Sequence, residues 1–209
     1  GPFRPAGANH ATHAAQAMKA VEEHLIRKDD GVALLFTPPF DHPEQDPGYI
    51  AAYPPGIREN GGQYTHGAIW SIFAHAMQGQ GDKAGALFEI INPLRHADTS
   101  RGLDRYKVEP YVACADVYSV DPHVGRGGWT WYTGSAAWLY RAGLEAMLGF
   151  RLQGARLLMA PCIPRHWPVF TVRYRHGQSS YVIEVRNPAG VQSGIRASWL
   201  DEVGLATSP

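Results

Sequence analysis

The chain has 209 residues, 19 basic and 19 acidic side chains, and 44% hydrophobic residues. That length can bury a sizeable core, and a balanced charge without a basic stripe argues against nucleic acid or an anionic membrane surface as partner. No stretch approaches the roughly 20 apolar residues of a membrane span, and the N-terminus shows no charged-then-apolar leader pattern.

In chain order, residues 9–28 read as a helix: Asn9 can cap it, alanines are dense, and Met18, Val21 and Leu25 recur at helical spacing. Asp29-Asp30-Gly31 stops it, and residues 32–36 form a short, buried, extended run. From Thr37 to Gly56 six prolines forbid regular structure. A loop of that length in a compact domain is functional or braced. Residues 67–77 then read as a helix apolar on most sides and hence buried on most sides. A further helix runs from about Asp82, its cap, to Ile91, where Asn92-Pro93 ends it. Residues 94–110 read as charged and irregular, 111–118 as a short apolar piece, 121–128 as a loop, and 134–148 as the last helix. Past Gly149 the period changes: 155–160, 169–174 and 180–185 read as strands of a half-exposed antiparallel sheet. The predicted division is therefore a helical domain, 1–148, and an antiparallel β domain, 149–209, with no internal repeat.

Two polar, glycine-bearing turns that run into apolar helices carry the chemistry. In the first, Arg58 to His66, Glu59 is a carboxylate flanked by glycines that let a ligand approach the backbone, and His66 stands at the helix mouth. A purely structural alternative is a buried Glu–Arg pair beside a helix cap. In the second, Trp129 to Trp138, the amides of Thr133, Gly134 and Ser135 open a helix and point along the positive end of its dipole, where an oxyanion fits. Its alternative is an ordinary hydroxyl cap. Three tryptophans beside that turn suit a sugar. The segment Asp104 to Tyr111 mixes both charges with two tyrosines and by itself reads as solvated surface. Cys114 and Cys162 have no ligand spacing and read as free, buried thiols. Of the ten histidines only His10 and His13 share a helix face, so no metal is expected.

Four segments in this order, Tyr53-Pro54-Pro55-Gly56-Ile57-Arg58-Glu59-Asn60-Gly61-Gly62 to His66, Asp104 to Val112, Thr133-Gly134-Ser135-Ala136-Ala137-Trp138, and Pro161-Cys162-Ile163-Pro164 with Trp167, resemble glycoside hydrolase family 94. The wording of Tyr64 to Trp70 and Ala115 to Ser119 is most similar to its cyclic β-1,2-glucan synthase branch. The resemblance implies a mainly α then β fold: part of an (α/α)6 barrel followed by part of a β-sandwich-like domain. It implies inverting phosphorolysis of a β-glucan or β-linked disaccharide, with inorganic phosphate as co-substrate and no other cofactor. Phosphate would be gripped by His66, Thr133 and Gly134, while Arg58, Glu59, Lys107 and Glu109 would line the sugar subsites. Where many phosphorylases carry a glutamine, this chain has Ala113-Cys114-Ala115.

The family's general acid sits in an Asp-Trp-Asn-Asp-like segment upstream, and these residues contain none. The resemblance thus implies a C-terminal piece, inactive alone, whose partner is the rest of the parent enzyme. It implies a cytoplasmic location, at the inner membrane within a larger membrane-embedded synthase. Half a barrel would leave the helix at 67–77 uncovered on one side; wetting a few hundred Å² costs on the order of 5–10 kcal/mol, so self-association is expected. An alternative from another class is a non-catalytic carbohydrate-binding or scaffolding piece of such a synthase. A third is an inverting hydrolase with Glu59 as base.

Overall fold

Helices dominate up to Met147 and antiparallel hairpins follow, in the computed structural model of the protein, which describes residues 8–205. Helix α1 spans Ala8–His24 and ends sooner than its periodicity suggests. The chain needs those residues for a hairpin: β1 (Ile26–Arg27) pairs antiparallel with β2 (Val32–Ala33), and Asp29-Asp30-Gly31 is its turn, with Gly31 at φ +68°. The side chain of Asn9, the expected cap, lies outside the described residues, as does that of His10. Val32, Ala33 and Leu34 are buried, as the apolar run demands.

The proline-rich loop is braced rather than free. Asn60 is fully buried inside it: its Oδ1 accepts from the Phe40 amide at 2.8 Å, and its Nδ2 donates to Tyr53 O at 2.7 Å and Phe40 O at 2.9 Å. One side chain thereby satisfies three backbone groups that irregular structure leaves open.

Strand β3 (Gln63–Tyr64) leads directly into α2 (Thr65–Met77), which packs on α3 (Gly81–Ile91). Their shared core joins Ile69, Ile72, Leu87, Ile91 and Met147. Helix α2 is buried on most sides, as expected, and bare on one: Trp70 is 54% and Met77 62% exposed, because no element among the described residues covers that side. Asp82 does not cap α3. Its carboxylate accepts instead from the backbone and guanidinium of Arg165. The stretch expected to be irregular holds two short helices, α4 (Pro93–His96) and α5 (Ser100–Tyr106). Local caps decide this: Asn92 accepts from the Leu94 amide and Thr99 from the Gly102 amide. Strand β4 (Asp116–Val117) precedes α6 (Thr133–Arg141), which continues as a π-helical turn to Met147.

Beyond Gly149 come three hairpins: β5 (Phe150–Gln153) with β6 (Arg156–Met159), β7 (Val169–His176) with β8 (Ser179–Arg186), and β9 (Ser198–Leu200) with β10 (Val203–Leu205). The predicted strands at 155–160, 169–174 and 180–185 fall on β6, β7 and β8; β9 and β10, three residues each, are too short to signal themselves, and the four-residue alternation of β5 went unread beside the end of the preceding helix. The segment Pro161 to Pro168 joins the hairpins to the helices. A methyl at Gly81 would lie 2.1 Å from Ile163 O and one at Gly85 2.5 Å from Pro164, so this backbone is seated directly on α3. Both cysteines are free and buried.

Two predictions follow from this packing. His96 is buried and stacked on Tyr106 at 4.9 Å, and burial, then the charge of Arg105, lowers its pKa to about 4. The unfolded imidazole takes a proton near pH 6.5 that the folded one refuses until about 4, so stability is complete above this window and falls as pH drops through it. Urea unfolding should lose about 3 kcal/mol between those limits, and His96→Phe should flatten that slope. Second, Gly149 has φ +74° and a methyl there would sit 2.1 Å from the Ala160 carbonyl carbon, whereas Gly154 at φ +60° faces open space. Gly154→Ala should cost about 1–2 kcal/mol in urea unfolding, and Gly149→Ala clearly more.

Candidate anion and sugar site

Strand β4 is the middle ply of a small ribbon. On one edge it pairs with β3, Tyr64 opposite Asp116, and the Thr65 amide donates to Ala115 O at 2.9 Å. On the other edge the Ala115 amide donates to Trp129 O at 2.7 Å and the Gly128 amide to Asp116 O at 2.8 Å. Each outer ply then runs into a helix. Tyr64 precedes α2 with φ −82°, ψ 101°, and Tyr132 precedes α6 with φ −82°, ψ 94°. A threonine follows each tyrosine, so His66 and Gly134 occupy the same second position of their helices. Trp70 and Trp138 match one turn further on, their rings 6.0 Å apart and edge to face. The two helices therefore lie parallel and in step, and both positive dipole ends meet at one corner.

His66 and Gly134 meet there: a methyl on Gly134 would be 3.9 Å from His66 Nδ1. The imidazole sits among Tyr64, Trp70 and Trp138 at ring distances of 6.1, 4.9 and 5.8 Å, and its Nε2 is buried without a hydrogen bond. In α6 the Ala136 amide bonds Tyr132 O at 3.2 Å, which leaves the amides of Thr133, Gly134 and Ser135 without an acceptor. No side chain caps either helix, so the hydroxyl-cap alternative fails for Thr133, whose side chain is exposed. Three adjacent free N–H groups, an imidazole and two aligned dipoles can hold an oxyanion.

Glu59 lies beside this corner. Burial raises the Tyr64 phenol, with the neighbouring Tyr132, Glu59 and Tyr49 adding to it. Glu59 Oε2 is buried and unpartnered. The alternative of a buried Arg58–Glu59 ion pair fails, since no such pair forms. The Arg58 guanidinium lies 4.0 Å from the Trp129 ring and 5.6 Å from that of Tyr53, two cation–π contacts of which the first is the closer. Glu109 accepts from the Trp131 indole at 3.0 Å; its own backbone amide first, then that indole, hold its carboxyl below the usual range. Lys107 ends α5 at φ +56°, exposed, and makes no ion pair with Glu59 or Glu109. A cavity of about 550 Å³ touches the Arg58 turn through Gly56 and Gly61, but none of the predicted site residues lines it.

Sequence reasoning missed Asn60, Gln63 and Asp116, all buried and polar. Gln63 Oε1 accepts from the Ala33 amide at 2.9 Å and so ties β2 to the site. The one signal available was the repeated Tyr-Thr doublet at 64–65 and 132–133, each before a small, apolar helix face.

The catalytic-domain model of the glycosyl hydrolase 94 superfamily matches residues 5–149. The chain belongs to this superfamily. It is 48% identical over 170 residues to a cyclic β-(1,2)-glucan synthase NdvB of Rhizobium meliloti (strain 1021), an overlap of 81% of this chain and 6% of that protein. It is 32% identical over 187 residues to an N,N'-diacetylchitobiose phosphorylase of Vibrio proteolyticus, covering 89% of this chain and 23% of the relative. A solabiose phosphorylase of Paenibacillus borealis is 29% identical over 202 residues, 96% of this chain and 26% of the relative. The chain thus spans about a quarter or less of these family members.

Gly134 is a glycine without a positive φ and with room for a methyl group. Gly134→Ala should therefore fold and gain up to about 1 kcal/mol in urea unfolding, an increase that marks the glycine as kept for something other than stability.

Proposed function

We propose that this chain forms the phosphate-holding side of an inverting phosphorolysis site for β-linked glucans or disaccharides, as a C-terminal part of a larger family 94 enzyme. The observation that carries this reading is the meeting of His66 and Gly134 at two parallel helix openings, 3.9 Å from Nδ1 to a methyl-sized point on the glycine. Inorganic phosphate is already an anionic nucleophile, so this site has to orient it rather than deprotonate it. The free amides of Thr133 and Gly134 and the His66 ring would hold the phosphate oxygens toward the anomeric carbon. Arg58, Glu59 and Glu109 would line the sugar, with Trp129, Trp131 and Tyr111 as aromatic faces, each more than 60% exposed. Lys107, without an ion pair, would reach a sugar hydroxyl.

Protonation of the leaving oxygen falls to a carboxylic acid in the rest of the parent enzyme. Residues 1–148 would be the C-terminal part of an (α/α)6 barrel and 149–209 part of a β-sandwich-like domain. The likeness to a cyclic β-(1,2)-glucan synthase, of which the chain covers 6%, supports a place in a much larger synthase; that synthase would be membrane-embedded, with this part on the cytoplasmic side. Among the described residues no helix is long and apolar enough to cross a membrane. The bare side of α2 supports self-association when the chain is alone, seen as a concentration-dependent sedimentation coefficient.

The test is a phosphate titration followed on the His66 imidazole by NMR. The expected result is a saturable shift, absent in His66→Ala and weakened at least about tenfold in Gly134→Ala; no saturation in the parent chain would overturn the reading. Release of glucose 1-phosphate from β-glucan by this chain alone should be undetectable. The exposed aromatic wall also fits a carbohydrate-binding piece, for which glucan affinity would be indifferent to phosphate.

A further inference from the structure

We infer that Asp116 is a positioning residue of this site: its carboxylate holds the Arg58 turn against the Trp129 ply and so keeps the Arg58 guanidinium on the Trp129 indole. The functional meaning rests on the proposed reading, in which that pair is a wall of the sugar subsite.

Asp116 is 1% exposed, in the centre of the β3–β4 ribbon. A carboxylate buried there is costly unless its oxygens are used. Its Oδ2 accepts the Arg58 amide at 3.2 Å. Arg58 stands at φ +50°, a left-handed conformation that a side-chain-bearing residue keeps only when its surroundings hold it. The other oxygen, Oδ1, is buried without a hydrogen-bond partner and packs against Gly128, whose amide bonds the Asp116 backbone carbonyl at 2.8 Å. A methyl on Gly128 would lie 2.1 Å from Asp116 Oδ1, so the carboxylate fits only because this residue is glycine. One side chain thus touches both loops that carry the Arg58–Trp129 pair, 4.0 Å apart.

The titratable groups facing this carboxylate are Arg58 and Glu59 from the turn and Cys114 two residues before it. Burial raises its pKa above the ordinary aspartate value and Glu59 adds to this, while the charge and the amide of Arg58 oppose it. Its ionised form makes the stronger bond to the Arg58 amide, so the brace loosens as pH falls through this raised value.

The experiment follows the Arg58 Nε–H resonance, displaced by the ring current of Trp129, in the 209-residue chain. In Asp116→Ala and in Gly128→Ala it should move to the position of a free arginine while the other tryptophan indole signals stay. Asp116→Asn, which keeps an acceptor oxygen, should restore it. As pH is lowered the resonance of the parent chain should titrate, above the ordinary aspartate range, and that of Asp116→Asn should not. An Arg58 signal unmoved in folded Asp116→Ala overturns the inference; if neither small-residue variant folds, a titration that survives in Asp116→Asn overturns it. Soluble β-glucan should bind Asp116→Ala about tenfold more weakly while the phosphate response of His66 persists. Absence of glucan binding by the parent chain would strike the proposed sugar site and leave the Arg58 result to stand by itself.

Discussion

A ribbon three plies wide determines where everything else sits. Ala115 and Asp116 take backbone hydrogen bonds from Thr65 on one edge and Gly128 on the other, and Ala115 gives its own amide to Trp129. Each outer ply becomes a helix within a few residues, so the strand spacing of the ribbon becomes the spacing of the two helix openings. That is why two residues far apart in the chain, His66 and Gly134, share one corner. Without the middle ply, the helices could still pack through Trp70 and Trp138, but nothing would bring their first turns level.

The ribbon's polarity is managed by buried side chains of a kind that cores usually exclude. Gln63, Asn60 and Asp116 are each at most 1% exposed, and each binds backbone that would otherwise be unsatisfied. The long proline-rich loop, which has almost no regular structure of its own, is anchored at three points by the Asn60 side chain and at Gly56 by Ser119. Apolar packing works elsewhere: α2, α3 and the π-helical turn enclose Ile69, Ile72, Leu87 and Met147, and α3 seats the segment after the β5–β6 hairpin through Gly81 and Gly85. The site thus stands between a dry core and an open aromatic surface. Groups at the boundary show it, since His66 Nε2, Glu59 Oε2 and Ser135 Oγ are buried yet unpartnered.

What local chemistry could announce was legible. Alanine-rich and apolar periodic runs gave α1, α2, α3 and α6, and alternation gave β7 and β8. Free amides at Thr133, Gly134 and Ser135 follow from helix geometry alone. Errors arose where a second segment supplied the decisive contact. Asp82 looks like a cap until Arg165 claims its carboxylate, and Glu59 looks like the partner of Arg58 until Trp129 offers its ring face. The short helices α4 and α5 were legible in principle from Asn92 and Thr99, but their charge suggested loop.

The amino-acid sequence by itself determined the family, the order of its elements and the two turns able to carry an anion and a sugar. These depend on residue type and near-neighbour spacing, which the chain states outright. Only the tertiary structure decided that those turns open parallel helices in register, that Arg58 lies on Trp129, and that Asp116 stands between them. Such facts depend on hydrogen bonds across the plies, between residues some fifty to sixty positions apart in the case of Arg58, Thr65 and their β4 partners, and no local pattern encodes which strands will meet.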